Sequence, residues 1–571
     1  MRPTKIFGIA LCGLVGCIEP RPDATPVQLQ LEPARLAMTV VDGVPVVQTF
    51  RATLIDSDGV ARDVTAETAF ALADRRAGSW SADTLSLGGD VLGPMQVTAT
   101  YGALRAQADL TVFARDLRYV AAPVDAALTF ERAMADTSCA PAISYPADGV
   151  VLPQNLGALD VQWADARDDL FEVSLATTYL ETRIYTRRGS VPSAFARLAA
   201  EDWTRLAGQH ESIELRVSGL VEDNPKLACR SLPRLLQVTE QPLVGGLYVM
   251  SAGGIARYDA AQPMLGAAPV VSPATWDAMM SPLVGPVPAA CMGCALSRDG
   301  SRFAVASGTH AAIYEIASHT VTDPGQTWDS ATFTAASSTL VTSRDGNLHV
   351  ITDAGATLAK LEPASGYAMF DAQLSRDGHS LASVLSTGNA PTLGGTIEVR
   401  PFAAATISFG AAHAIMPLVP GVSAYAPAWS PDGQWIAFTR ATGWGTLETK
   451  ASIWIAKADG STTPVQLTDD SPDLDVHARF APLSLTTGGE RMFYVTFESD
   501  RAFGELGTGT IQLWATPFYP DRPVLGTGLC TAAEAQTGAC PTRAVAPAFR
   551  LPMQSVSTDN RLVQWLAPVG A

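Results

Sequence analysis

Seven histidines, one Cys-x-x-Cys pair and one dense run of aspartates are the residues of this chain that could do chemistry. The histidines are scattered. His349 lies in a strand-like run, His379 follows a turn, and His310, His319, His413 and His477 can converge on a metal only through folding. Asp469-Asp470-Ser-Pro-Asp473-Leu-Asp475 has carboxylates enough to attract Ca2+, which takes six to eight oxygens. It lacks the Asp-x-Asp-x-Asp-Gly order of a dedicated calcium loop, so a solvated loop is the plainer reading. Calcium is the one cofactor left open; otherwise none is expected. Cys291-Met-Gly-Cys294 is followed by Ala295 where covalent haem attachment requires a histidine ligand. No neighbouring cation depresses either thiol, which argues against redox exchange and for a structural Cys291–Cys294 disulfide. The sequence has no Gly-x-Ser-x-Gly elbow, phosphate loop or His-Glu-x-x-His pair, and no catalytic residue is assigned.

These residues sit in a long, acidic, turn-rich chain. Its 571 residues are too many for one ordinary core. Charged residues make up 17% and hydrophobic ones 47%, which excludes a disordered chain. With 47 glycines and 39 prolines, long helical bundles are disfavoured. A net charge of −17 excludes a nucleic-acid binder, which must neutralise phosphates. Lysines stand only at Lys5, Lys226, Lys360, Lys450 and Lys457, so there is no polybasic patch for anionic lipid.

Residues 1–16 read as a signal peptide: Arg2 and Lys5 precede an apolar run too short to span a bilayer. Leu14-Val15-Gly16-Cys17 resembles the bacterial lipobox. The resemblance implies cleavage before Cys17 and acylation of its thiol. Ile18 in place of an aspartate favours the outer membrane. A Pro-rich spacer completes residues 17–26. The uncharged stretch 401–431 contains His413, Pro417 and Pro420 and reads as strands and turns, leaving the lipid anchor as the membrane attachment. Apart from Cys12 and Cys17, six cysteines remain, an even number suited to an oxidising compartment. Cys530 would pair with Cys540, and Cys139 with Cys229, although spacing alone does not prove connectivity.

Residues 27–115 alternate apolar and polar side chains between Asp42-Gly43, Asp58-Gly59 and Tyr101-Gly102 turns, as half-buried antiparallel strands do. The run from Val97 to Val112 resembles the last hairpin of bacterial Ig-like domains. Residues 116–240 are similar to a fibronectin type III-like sandwich, with Trp163 as a buried ring. A helical pattern over 193–210 interrupts it, capped by Ser193, with Phe195, Leu198, Trp203 and Leu206 on one side.

Residues 241–571 repeat a short cassette: Ser297-Arg-Asp299-Gly300, Ser343-Arg-Asp345-Gly346, Ser375-Arg-Asp377-Gly378 and Ser430-Pro-Asp432-Gly433. The aspartates stand 46, 32 and 55 residues apart, near the spacing of propeller blades. Asp-Gly makes a tight turn because Asp bonds the local backbone and Gly accepts positive φ. Together with Ile453-Trp-Ile-Ala-Lys-Ala-Asp-Gly460, the pattern resembles the TolB-like, WD-repeat-like β-propeller.

The expected fold is mainly β, with two N-terminal β-sandwich modules forming a stalk and a six- or seven-bladed β-propeller as the head. The resemblance implies an envelope-anchored, non-enzymatic scaffold that binds an envelope protein. The alternative is a carbohydrate-active propeller, since some propeller lyases of pectin fragments hold a metal through histidines. An Arg-rich or apolar channel rim would favour the first, and clustered His and carboxylates the second. If Cys17 is the anchor, Cys17→Ala moves the protein from the membrane pellet to the soluble fraction; unchanged pelleting removes the lipoprotein assignment.

Overall fold

The computed structural model describes residues 25–189, 194–251, 254–284, 294–307, 310–390, 394–442, 450–468, 474–505, 510–522 and 546–568. Cys17, Cys291, Cys530, Cys540 and Asp469, Asp470 and Asp473 lie outside them. Strands dominate, and none of the described helices is long and apolar enough to cross a membrane. The chain divides into two compact units, the first running to Asp116 with residues 178–180 added.

In the first unit the alternation becomes sheet. Pro26–Glu32 pairs with Arg51–Asp56, and Val46–Thr49 with Thr84–Leu87. Gly93–Tyr101 and Leu104–Val120 form the hairpin expected at the end of the unit, in register Tyr101 to Leu104. Arg35–Val41 joins this hairpin in parallel. Every second residue turns inward, so Leu29, Leu31, Phe50, Ala52, Leu54, Leu85, Leu87, Val97, Ala99, Leu110 and Val112 form one core. Trp80 stacks on Phe70 at its margin.

The second unit contains everything from Leu117 onward apart from residues 178–180. Its first part places Trp163 fully buried on the Leu159–Ala164 strand, edge-on to Phe171. The helical pattern is half corrected. Ala194–Leu198 is a strand antiparallel to Leu159–Ala164, and the helix is Ala200–Ala207 with Ala199 at its N-cap. Ser193 lies outside the described residues. Ala-Phe-Ala-Arg-Leu satisfies both periods, and an available sheet edge decides for strand. Trp203 and Leu206 are buried as the pattern requires, and the Trp203 indole donates to Gln154 O at 3.0 Å. Cys139 and Cys229 form the expected disulfide.

The remainder is a ring of six antiparallel sheets, each of four or five strands. Their inner strands are Asn560–Leu566, Ala295–Leu296, Ser330–Phe333, Ala368–Leu374, Val422–Trp429 and Asp475–Phe480, each lying against the next. Asn560–Leu566 comes from the far end of the chain and pairs with Gly246–Ser251, so the first sheet is completed by the last strand. This is a β-propeller. Apolar clusters fill the space between successive sheets, such as Val341, Leu348, Val350, Met369, Leu374 and Leu381 between the third and fourth.

The 116–240 segment is not a separate bead of a stalk. It bonds to both sheets beside the closure. Tyr494 Oη donates to Val151 O at 3.1 Å, and Asn155 Nδ2 donates to Leu243 O and Ala260 O at 2.9 and 2.7 Å. Glu240 accepts from Thr486 Oγ1 and Gly489 N, and Tyr145 packs edge-on to Phe503. The disulfide closes a 90-residue separation, for which chain entropy gives about 4–5 kcal/mol. The Cys139→Ser/Cys229→Ser double variant should therefore unfold at markedly lower urea. An unshifted midpoint contradicts this account.

Candidate functional site

Three of the four cassettes form one and the same turn. Ser297, Ser375 and Ser430 each donate their hydroxyl to the following aspartate, Asp299, Asp377 and Asp432, at 2.6 Å. The same hydroxyls accept from Arg302 N, Ser380 N and Trp435 N at 2.9 to 3.0 Å. Gly300, Gly378 and Gly433 follow at positive φ. Each turn joins an inner strand to the second strand of its sheet, so all three gather at one end of the ring. Burial alone would raise Asp299, but hydrogen bonds from Ser297 and Ser301 hold it far below the usual carboxylate range. Asp377 is likewise lowered, by Ser375 and His379 N.

The Asp345-Gly346 cassette is different. Both residues take positive φ in a two-residue hairpin between Thr339–Arg344 and Asn347–Thr352, one connection further out. The equivalent inner connection of that sheet is residues 334–338, which contains no Asp-Gly. Asp-Gly favours any tight hairpin, so the dipeptide repeats where the blade position does not.

The x position of Ser-x-Asp-Gly carries the side chains that sequence reasoning missed. Arg298 reaches from the second sheet to the fourth, donating through Nη2 to Ser375 O at 2.7 Å and through Nη1 to Arg376 O. Arg376 reaches from the fourth sheet to the sixth, donating to Pro482 O at 2.7 Å. Gly378 lies against the Arg298 guanidinium; a Cβ there would meet it at 3.4 Å. Beneath these struts lies a cavity of about 600 Å³ at the channel mouth, lined from all six inner strands. Its walls include Phe333, Phe480, Trp429 and Trp565, and its cations are Arg298, Arg376 and Arg479. The Trp429 indole N–H is already donated to Gln373 O at 2.9 Å, and that of Trp565 to Thr496 Oγ1 at 3.0 Å.

Along the channel-lining strands sits a second group of charges. Asp371, Ala426 and His477 each bulge their inner strand at positive φ. Asp371 Oδ2 accepts from Ala426 N at 3.0 Å, and His477 Nδ1 lies 3.1 Å from Glu498 Oε1. Burial pushes the Asp371 carboxyl up. It would push His477 down, but the Glu498 charge and hydrogen bond outweigh it and raise the imidazole. Burial lowers Arg479 against the pull of Glu498 and Asp371.

The other sequence candidates do not converge. His319 Nδ1 meets Tyr314 Oη at 2.6 Å, His413 Nε2 meets Ala458 O at 2.9 Å, and His349 is buried within the third sheet. Among the described residues no group of three or more His, Cys, Asp or Glu is placed to hold a metal. Asp475 is part of an inner strand, buried and paired with Arg501 at 2.6 Å, so it is not a solvated loop carboxylate. Cys294 is buried and disulfide-bonded.

No family model and no curated protein matches the sequence. Among solved structures, the chain is similar to a structure assigned to TolB from Agrobacterium tumefaciens, at 15% identity over 50% of this chain and 92% of that one, with a TM-score of 0.29. An auxiliary nutrient binding protein from Bacteroides thetaiotaomicron matches at 10% identity over 64% and 96%, with a TM-score of 0.32. Oligogalacturonate lyase from Vibrio parahaemolyticus matches at 10% over 53% and 85%, with a TM-score of 0.30. The propeller itself rests on the six sheets and their closure.

The His477–Glu498 pair sets a pH dependence. An unfolded histidine titrates near pH 6.5, and the folded one higher. The pair's stabilisation is complete below about pH 6.5 and fades as pH rises through the folded value. Urea midpoints measured across that window should fall less steeply with pH in Glu498→Gln than in the wild type; equal slopes contradict the pairing.

Proposed function

We propose that this chain is a non-enzymatic binding and scaffolding lipoprotein of the bacterial envelope. Acylated Cys17 would hold it to the outer membrane, and the propeller mouth would receive a segment of an envelope protein. The Ig-like and fibronectin type III-like resemblances fit spacer and support roles for residues 27–115 and 116–240. The observation that carries the reading is the channel mouth: arginines and aromatic side chains converge there from six sheets, the composition that dominates protein recognition.

A carbohydrate-active channel is the second reading. The Asp371, His477, Arg479 and Glu498 group favours it, because buried titratable groups with shifted protonation suit acid–base work.

The test is a cross-linked pull-down from the envelope fraction, read by mass spectrometry. The bait is the whole chain, because residues 116–240 are bonded to the ring. A protein partner is expected whose recovery falls at least about tenfold with Trp429→Ala, as for an aromatic anchor. A wild-type bait that enriches nothing overturns the protein-binding reading and turns the work to polysaccharide turnover.

A further inference from the structure

Resting on the binding reading above, we infer that the mouth cavity is an anion site, and that its occupant is a polypeptide carboxylate flanked by an aromatic or large apolar side chain, received by Arg479. The decisive feature is the bonding of that arginine. Arg479 lines the cavity from the Asp475–Phe480 strand. Among the described residues its guanidinium makes one hydrogen bond, Nη1 to Ala478 O at 2.8 Å, and its buried Nε has no partner. Three other half-buried or buried arginines of the ring hold a carboxylate directly, Arg501 with Asp475 at 2.6 Å, Arg400 with Glu398 at 2.8 Å and Arg302 with Glu315 at 2.7 Å, and buried Arg550 has its guanidinium bonded to Gln512 Oε1 and Gln554 O. Glu498 and Asp371 pull on Arg479 only through space. A desolvated cation without a contacting counter-ion is costly unless an anion completes it, and the Nε/Nη2 edge of a guanidinium matches a planar carboxylate.

The rest of the lining makes the cavity positive. Arg298 is bonded to carbonyl oxygens and to no carboxylate among the described residues. The lining's carboxylate, Asp299, already accepts from Ser297 Oγ, Ser301 N and Ser301 Oγ. So a cavity lined by three arginines and one aspartate, a net positive lining, opens in a chain of net charge −17. An acidic segment repelled by the net charge of the chain is attracted here.

The walls decide between a peptide and a sugar acid. Both indole N–H groups are donated to the protein, and two arginines are bonded to carbonyls. Sugar hydroxyls would meet no free indole N–H on these walls, and any left without another partner would be buried unpaired, which is unfavourable. An aromatic or aliphatic side chain needs only the faces of Phe333, Phe480, Trp429 and Trp565.

The experiment is calorimetric titration of the whole chain in detergent with N-acetyl-tryptophan, its uncharged amide, and galacturonate. N-acetyl-tryptophan should bind at least about tenfold more tightly than the amide, the usual worth of a hydrogen bond to a charged group. Arg479→Gln should erase that preference. Arg479→Lys, which keeps the charge, should retain part of it and serves if Arg479→Gln does not fold, as judged by circular dichroism. Equal binding of acid and amide, no binding of either, or a preference that survives both variants overturns the inference. Arg479-dependent binding of galacturonate alone assigns the cavity to sugar acids and also overturns it. A partner protein captured equally by wild type and Arg479→Gln refutes this inference and leaves the binding reading standing. A wild type that captures nothing refutes that reading, while the titration still decides the site.

Discussion

The pairing of Asn560–Leu566 with Gly246–Ser251 is the interaction on which the rest of the ring depends. Six sheets in a circle have no edge only if the first and last are joined, and here the join is a hydrogen-bonded strand carried across more than half of the chain. Leu566 also packs beneath Gly300, where a Cβ would meet it at 2.5 Å. The closing strand therefore supports the Ser297 turn and, through it, the base of the Arg298 strut. Closure and channel mouth are built from the same atoms.

The buried charges follow from that geometry. Inner strands converge on an axis, and side chains that point at it cannot all be apolar without leaving backbone bulges unsatisfied. Asp371 answers one such bulge by accepting from Ala426 N, and Thr439 Oγ1 answers another by accepting from His477 N at 3.0 Å. Once Asp371 is present, cations must be near it, and His477 and Arg479 lie on the inner strand of the sixth sheet, two sheets further. Arg298 and Arg376 act differently: they tie carbonyls of alternate sheets and so fix the diameter of the mouth.

Much of the fold was legible in the sequence, for reasons that are local. Ser-x-Asp-Gly marks a turn whose side-chain bonds lie within six residues, so three of four copies fall where the blade repeat puts them. Asp345 misleads because hairpin chemistry is the same at any connection. Trp203 was readable as a buried ring from helical periodicity, and Trp163 from the fibronectin type III-like resemblance. The boundary of the helix was not, since the 194–198 run is compatible with both periods and its fate depends on pairing with Leu159–Ala164, some 30 to 40 residues earlier. The candidate site was nearly illegible. Arg298 and Arg376 look like ordinary turn residues until the turns face one another, and Arg479 is distinguished only by what it lacks. The fusion of residues 116–240 to the ring was equally hidden, because its partners, such as Thr486 and Tyr494, lie some 250 to 340 residues away.

That fusion bears on the order in which the molecule is assembled. Residues 116–240 rest on the first sheet and the sixth, which leave the ribosome at very different times. When the N-terminal module is complete, only the Leu243 and Ala260 side of its seat has been made. The face that later receives Tyr494 and Phe503 stays open until nearly all of the chain has been delivered. Ring closure and the completion of this seat therefore both wait on the last two sheets, and until then the apolar surface left open lies on the waiting module as well as on the blades.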